Sequence, residues 1–203
     1  VKIEHIATDL SAAFIASVLE NCSGAVQVFD HFHVVKLMNE HLDDIRRKVY
    51  TMEKDINKRK VLKGTRYLLL GNGADIFDKQ YKNRLDNALA MNEPLSKAYY
   101  LKEQMREIWT QINKEQASAV LNDWVRQARE SKIPQLEKMA NTLMLYRSGI
   151  LAWYDCHIST GKVEGINNKI KVMKRNAYGF RDERYFKLRL YALHDCRITR
   201  HVG

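Results

Sequence analysis

"VKIEHIATDLSAAFIASVLENCSGAVQVFD", residues Val1 to Asp30, is the stretch that decides the fold class. Its first residues place apolar side chains as a strand does, and this run ends at Asp9. An amphipathic helix is predicted over Leu10–Glu20, and a second short strand, Ala25–Phe29, ends at Asp30. Strand, helix and strand within about 30 residues predict a βαβ unit, whose strands are parallel and whose crossover is right-handed.

Beyond the second strand the pattern changes to a helical period. From about His33 to Trp153, apolar side chains recur at three- and four-residue spacing and form four stripes. Most tryptophans and tyrosines of these stripes are expected to pack in a core. Further helices are predicted across the segment from Ser159 to Phe180 and from Asp182 to Ile198. The chain is therefore predicted to be α/β and predominantly helical.

Composition favours an anionic partner. The 203 residues carry a formal net charge of +10, which is typical of proteins that bind nucleic acid. No apolar run approaches the roughly 18 residues needed to cross a membrane, and no signal peptide opens the sequence. Cys22, Cys156 and Cys196 are far apart and odd in number, which indicates a reducing cytoplasm. Because Val1 already lies in a predicted strand, we expect the chain to be a piece of a longer protein.

Two acidic residues stand where the predicted strands end. Asp9 and Asp30 both end predicted strands. Asp9 lies at the carboxyl end of a predicted parallel strand, the edge at which open α/β sheets bind ligands. A carboxylate there suits a hard divalent cation such as Mg²⁺. An N-cap of the following helix is an equally good explanation of Asp9.

A third acid, Glu164, stands alone in the basic stretch "STGKVEGINNKIKVMKRNAYGF", residues 159–180. A helical period puts one set of apolar residues on one face: Val163, Ile166, Ile170, Met173 and Ala177. It puts a second set on another face: Glu164, Asn168, Lys171 and Arg175. A carboxylate there could ligate a metal ion while amides and lysines hold phosphates. The alternative is a solvated basic helix whose single acid pairs with Asn168 or Lys171.

The segment "DHFHVVK", Asp30 to Lys36, is the remaining candidate for chemistry. Zinc bound by His31 and His33, with Cys22 or Cys156, is a weak alternative, because no paired cluster of Cys or His completes a tetrahedral set. The sequence has no glycine-rich phosphate loop and no serine-hydrolase nucleophile motif.

Two blocks of this sequence resemble the ISL-three family of DDE transposases from bacterial insertion sequences. The first is D-x-F-H-V-x-K, which begins at Asp30. The second is E-G-x-N-x-x-I-K-x-x-K-R-x-A-x-G-[FY], which begins at Glu164. They occur in the family's order, and the similarity covers the whole chain. The second block is the more specific because it is long and mixed in residue type.

The resemblance implies an RNase H-like fold in which three acids bind two Mg²⁺ or Mn²⁺ ions. Residues 1–35 and 157–203 would form a portion of that catalytic core, and residues 36–156 would be an all-α insertion. Asp9 would be the second acid and Glu164 the third, both as catalytic metal ligands. Asp30 is the alternative second acid. Otherwise the Asp30–His33 pair would support the site.

The resemblance also implies an activity and partners. The enzyme would cut DNA at the ends of an insertion sequence, and the freed 3′-hydroxyl would attack target DNA. DNA would contact a set of side chains on the basic helix: Asn168, Lys171, Lys174 and Arg175. The active complex would be a homo-oligomer on the bacterial nucleoid in the cytoplasm.

The first acid is expected upstream of Val1, so the 203-residue chain is expected to be inactive alone. The rival hypothesis is a non-catalytic helical module, derived from a transposase, that binds nucleic acid or protein.

Overall fold

The structure, a computed structural model, describes residues 2–195. It divides into two compact units, Val1–Ile158 and Ser159–Gly203. The described part is mostly helical with two short strands, so the predicted α/β, predominantly helical class is confirmed. No helix in the described part is long and apolar enough to cross a membrane.

The first unit opens with the predicted strand, helix and strand. Strand β1 is His5–Thr8, helix α1 is Ala12–Asn21 and strand β2 is Val26–Phe29. The two strands are parallel, as predicted, with Thr8 opposite Phe29 in the last paired position. Burial increases toward the carboxyl end of both strands, because that end lies against the helical part of the unit.

Helices and 3-10 turns fill the rest of the first unit. The helices are α2 (His31–Met52), α3 (Ile56–Leu62), α4 (Arg66–Leu70), α5 (Lys79–Ala90), α6 (Glu93–Met105), α7 (Lys114–Glu130), α8 (Pro134–Leu145) and α9 (Arg147–Leu151). The 3-10 turns are Gly73–Asp75, Arg106–Trp109 and Ala152–Tyr154. Several helices begin at Asp or Asn N-caps, which satisfy otherwise unpaired backbone N–H groups.

The longest of these helices, α2, contributes a row of buried residues to the hydrophobic core. Its buried residues Val34, Met38, Leu42 and Ile45 recur at spacings of three and four, so they form one stripe along the helix. This stripe packs against α6 and α8. Because α2 starts directly after β2, its packing fixes the carboxyl end of the sheet against the helical core.

Helix α9 lies against β2 at very short range. A Cβ atom added at Gly149 would lie 2.6 Å from Cε2 of Phe29 and 3.0 Å from the carbonyl oxygen of Gln27. Only a residue without a side chain permits this approach. The contact adds a second support behind the strand that ends at Asp30.

The second unit is a helical hairpin. Helix α10 (Gly161–Asn176) is followed by Tyr178 and Gly179, which both have positive φ. The Gly179 N–H donates to the Lys174 carbonyl oxygen at 2.9 Å. This glycine stop confirms the helix end predicted in the basic stretch. Helix α11 (Glu183–Asp195) follows; the predicted continuation through Cys196 to Ile198 lies outside the described residues.

Candidate functional site

Asp9 and Asp30 lie side by side at the carboxyl edge of the two-stranded sheet. Each directly follows a residue of the last register pair, Thr8 and Phe29. The Asp30 backbone N–H donates to the Thr8 carbonyl oxygen at 3.3 Å, so the pairing continues to this position. Neighbouring strands are about 4.8 Å apart, so the backbones of Asp9 and Asp30 are neighbours at this edge. The sequence predicted this placement.

The Asp9 carboxylate is half-buried and is not the N-cap of α1. The N-cap is Ser11, whose backbone N–H donates to Oδ1 of Asp9 at 2.9 Å. This short turn orients the Asp9 side chain at the sheet edge. The N-cap explanation that the sequence allowed for Asp9 is therefore wrong, because the helix begins two residues later than such a cap requires.

Asp30 has a structural role that Asp9 lacks. It is 4% exposed, and its Oδ1 accepts a hydrogen bond from the Phe32 backbone N–H at 3.0 Å, so it caps α2. The same oxygen lies 3.4 Å from Nδ1 of His31. This cap fixes the first turn of α2 directly after the end of β2.

His33 lies on that first turn of α2, three residues after Asp30. Its backbone N–H donates to the Asp30 carbonyl oxygen at 3.1 Å, and its half-buried ring meets the Phe32 ring edge-on, with centroids 5.5 Å apart. The Asp30–His33 pair is thus set on one helical turn directly beside the Asp9 edge.

The donor set at this edge matches a hard cation in type. Two carboxylates offer oxygen ligands, which Mg²⁺ and Mn²⁺ prefer over nitrogen or sulfur. Among residues 2–195, however, no three His, Cys, Asp or Glu side chains come together closely enough to hold a metal ion. The described residues therefore do not by themselves complete a metal site at this edge.

Glu164 lies in the second unit, in the first turn of α10, and its side chain is exposed. Negative charge is favourable at a helix N-terminus, which is one local reason for an acid here. The exposed residues Asn168, Lys171 and Arg175 follow it at spacings of four, three and four along the helix. This row agrees with the predicted polar face.

The cationic residues at the end of α10 are Lys171, Lys174 and Arg175, here called the basic triplet. All three are exposed, and none forms an ion pair within residues 2–195. The Lys174 ammonium lies 5.4 Å from the centroid of the Phe186 ring, so this member of the triplet makes a cation–π contact with α11. Unpaired cations on one helix are well suited to contact phosphates.

An aromatic cavity beside Asp30 was not predicted. Its volume is about 430 Å³ and its lining includes Phe32, Arg106, Trp109 and Trp153. The sequence favoured core packing for the tryptophans; Trp124 is fully buried, whereas Trp109 and Trp153 are only partly buried. No periodic signal could identify this cavity, because its walls come from three separate segments of the chain.

Comparison with known proteins finds similarity to transposases. A family model described as a transposase, of the DDE type and the ISL-three branch, matches residues 1–190. The transposase for insertion sequence element IS1001 of Bordetella parapertussis is 37% identical over 193 residues, covering 94% of this chain and 47% of that protein. The transposase for insertion sequence element IS1557 of Mycobacterium tuberculosis is 30% identical over 204 aligned positions, covering 89% and 45%. The chain spans about half the length of these curated relatives. No solved structure matches it.

Proposed function

The chain belongs to the ISL-three family of transposases, and from this premise we propose that it is part of a catalytic domain that cuts and joins DNA. The substrate would be the ends of an insertion sequence and the target DNA into which they are moved. The observation that carries the proposal is the pair of carboxylates, Asp9 and Asp30, at the carboxyl edge of two parallel strands.

The proposal includes an RNase H-like core. Residues 1–35 and 157–203 would contribute to it, and the helices of residues 36–156 would be the insertion between them. Two features support this: the family match extends from the first strand through α10, and every described element between α2 and α10 is an α-helix or a 3-10 turn. In that core Glu164 would come to the Asp9 edge.

Asp9 and Glu164 are the proposed holders of divalent metal. Asp9 is favoured over Asp30 because Asp30 is already buried as the cap of α2, whereas the half-buried Asp9 carboxylate is not used as a cap. Asp30 remains the alternative second acid. When bound, Mg²⁺ or Mn²⁺ would stabilise negative charge on the phosphodiester that is cut.

The chain's other residues would bind and position the DNA. The exposed basic triplet would hold backbone phosphates without reading sequence, and the Asn168 amide would add a hydrogen bond on the same helix. Asp30 and His33 would keep the start of α2 fixed beside Asp9, since both lie on its capped first turn. A rigid edge of this kind is needed because a displaced phosphodiester is not in line for attack.

The test is a nicking assay with the protein expressed from its complete reading frame. Glu164→Gln keeps the size of the side chain and removes its charge. It should abolish Mg²⁺-dependent nicking of a duplex that carries an element end, while DNA binding stays equal or becomes slightly tighter. Glu183→Gln, also an exposed acid in the first turn of a helix, is the matched control and should nick normally.

Two results would contradict the proposal. Nicking by Glu164→Gln at the wild-type rate would make Glu164 an ordinary surface residue. A wild-type protein that binds the duplex but never nicks it, at any Mg²⁺ or Mn²⁺ concentration, would instead support the rival non-catalytic module.

A further inference from the structure

The cavity beside Asp30 is lined by aromatic rings and one cation. Phe32, on the first turn of α2, lines the cavity and is 51% exposed. Arg106 and Trp109 come from one 3-10 turn, and Trp153 comes from another. A volume of about 430 Å³ lies within the usual range for small-ligand sites, which is roughly 300–1,000 Å³.

The cavity is next to the acidic edge. The His31 ring, which also lines it, lies with its centroid 5.9 Å from that of Trp109, and its Nδ1 lies 3.4 Å from Oδ1 of Asp30. A ligand in the cavity would thus be one side chain away from Asp30, which follows the end of β2 beside Asp9.

These features select for a flat, aromatic ligand that carries negative charge. A nucleobase with its phosphate meets both requirements. Base stacking on aromatic side chains tolerates any sequence, and arginine both stacks and contacts phosphate. Where a DNA strand is locally unpaired, a base that has lost its stacking neighbour can stack on aromatic side chains of the protein instead.

We infer that this cavity binds an unstacked nucleobase of the DNA strand at the cleavage edge. Phe32, Trp109 and Trp153 supply the stacking surface, and Arg106 meets the adjoining phosphate. The inference rests on the proposed function, since it takes DNA as the substrate.

The experiment titrates the 203-residue chain with a twelve-nucleotide thymidine strand and, separately, with a blunt duplex of the same length. Tryptophan fluorescence is the signal: Trp109 and Trp153 line the cavity, and Trp124 in the core supplies a constant background. The single strand should quench the fluorescence saturably and bind more tightly than the duplex. Thymidine monophosphate should compete only weakly, because it lacks the rest of the strand.

Phe32→Ala is the main variant, because Phe32 is half exposed and its loss should leave the fold intact. It should weaken single-strand binding by about fivefold to about 100-fold. Duplex binding should change by less than about twofold, since phosphate contacts elsewhere dominate it. Trp153→Leu, with its folding checked by circular dichroism, should behave alike. Phe77→Ala removes an aromatic side chain that is 90% exposed and does not line the cavity, so it should change neither affinity.

Three outcomes would overturn the inference in distinguishable ways. Unchanged single-strand affinity in both Phe32→Ala and Trp153→Leu, with duplex still bound, would reject the cavity and leave the proposed function standing. Equal affinity for the monophosphate and the strand would make it a free-nucleotide site. Failure of the wild-type chain to bind either DNA would reject the proposed function as well.

Discussion

Two substitutions at Asp30 distinguish the stability that comes from its helix cap from any effect of its negative charge. Its carboxylate is 4% exposed and caps α2 by accepting from the Phe32 N–H at 3.0 Å. Asp30→Ala removes this cap and leaves the N–H without its partner, at a cost of about 1–2 kcal/mol. Asp30→Asn keeps a side chain that caps as well as Asp, so it should cost less than about 0.5 kcal/mol.

The assay is thermal and urea unfolding of the 203-residue chain. For a protein of this size about 1 kcal/mol corresponds to about 2–4 °C, so Asp30→Ala should lower Tm by about 2–8 °C and Asp30→Asn by about 2 °C or less. Asp78→Ala is the matched control: Asp78 caps α5 in the same way but is exposed, so its loss should fall at the lower end of the range. Equal Tm values for Asp30→Ala and wild type, or equal losses for Asp30→Ala and Asp30→Asn, would refute the capping argument.

Three further predictions concern the basic triplet, the contact between Gly149 and β2, and the half-buried His41. Alanine at all three positions of the basic triplet should reduce the slope of log affinity against log salt by up to about 3, measured by anisotropy with duplex DNA; an unchanged slope would remove the triplet from the interface. Gly149→Ala should cost about 1–3 kcal/mol in a urea titration, because its Cβ would collide with Phe29, whereas the exposed neighbour Ser148→Ala should cost little. Burial lowers the pKa of His41 below its ordinary value of 6.5, so the unfolded chain takes up a proton first as pH falls. Stability should therefore fall as pH drops below about 6.5, and His41→Gln should lessen that fall; an unchanged pH dependence would contradict it.

The acidic edge could be predicted from sequence because its determinants are local. A strand, a helix and a strand in close succession leave few topologies, and the parallel pairing puts Asp9 beside Asp30. The capping of α2 by Asp30 follows the same local logic, since an Asp directly before an apolar helical period is a common start signal. The boundaries differed by a few residues: β1 begins at His5 rather than at Val1, and Ser11 rather than Asp9 caps α1.

Tertiary features were harder to predict. The cavity joins Phe32, Arg106 and Trp153 from distant segments, and no period in the sequence links them. The predicted apolar face of α10 shows a related limit: Met173 is buried, but Val163 is 61% exposed. A helical period shows which face is apolar, whereas the neighbour that covers that face is set by packing elsewhere.

The central claim is that Asp9 and Glu164 hold the same metal ions, and iron-directed cleavage tests it most directly. Fe²⁺ with ascorbate, in place of Mg²⁺, generates radicals that cut the polypeptide beside its binding site. In the protein expressed from the complete reading frame, we expect cuts near both Asp9 and Glu164, both competed by Mg²⁺. Asp9→Asn should suppress the cuts near Glu164, and Glu164→Gln should suppress those near Asp9. Cuts near Asp9 that persist at full strength in Glu164→Gln, with none near Glu164, would contradict a shared site.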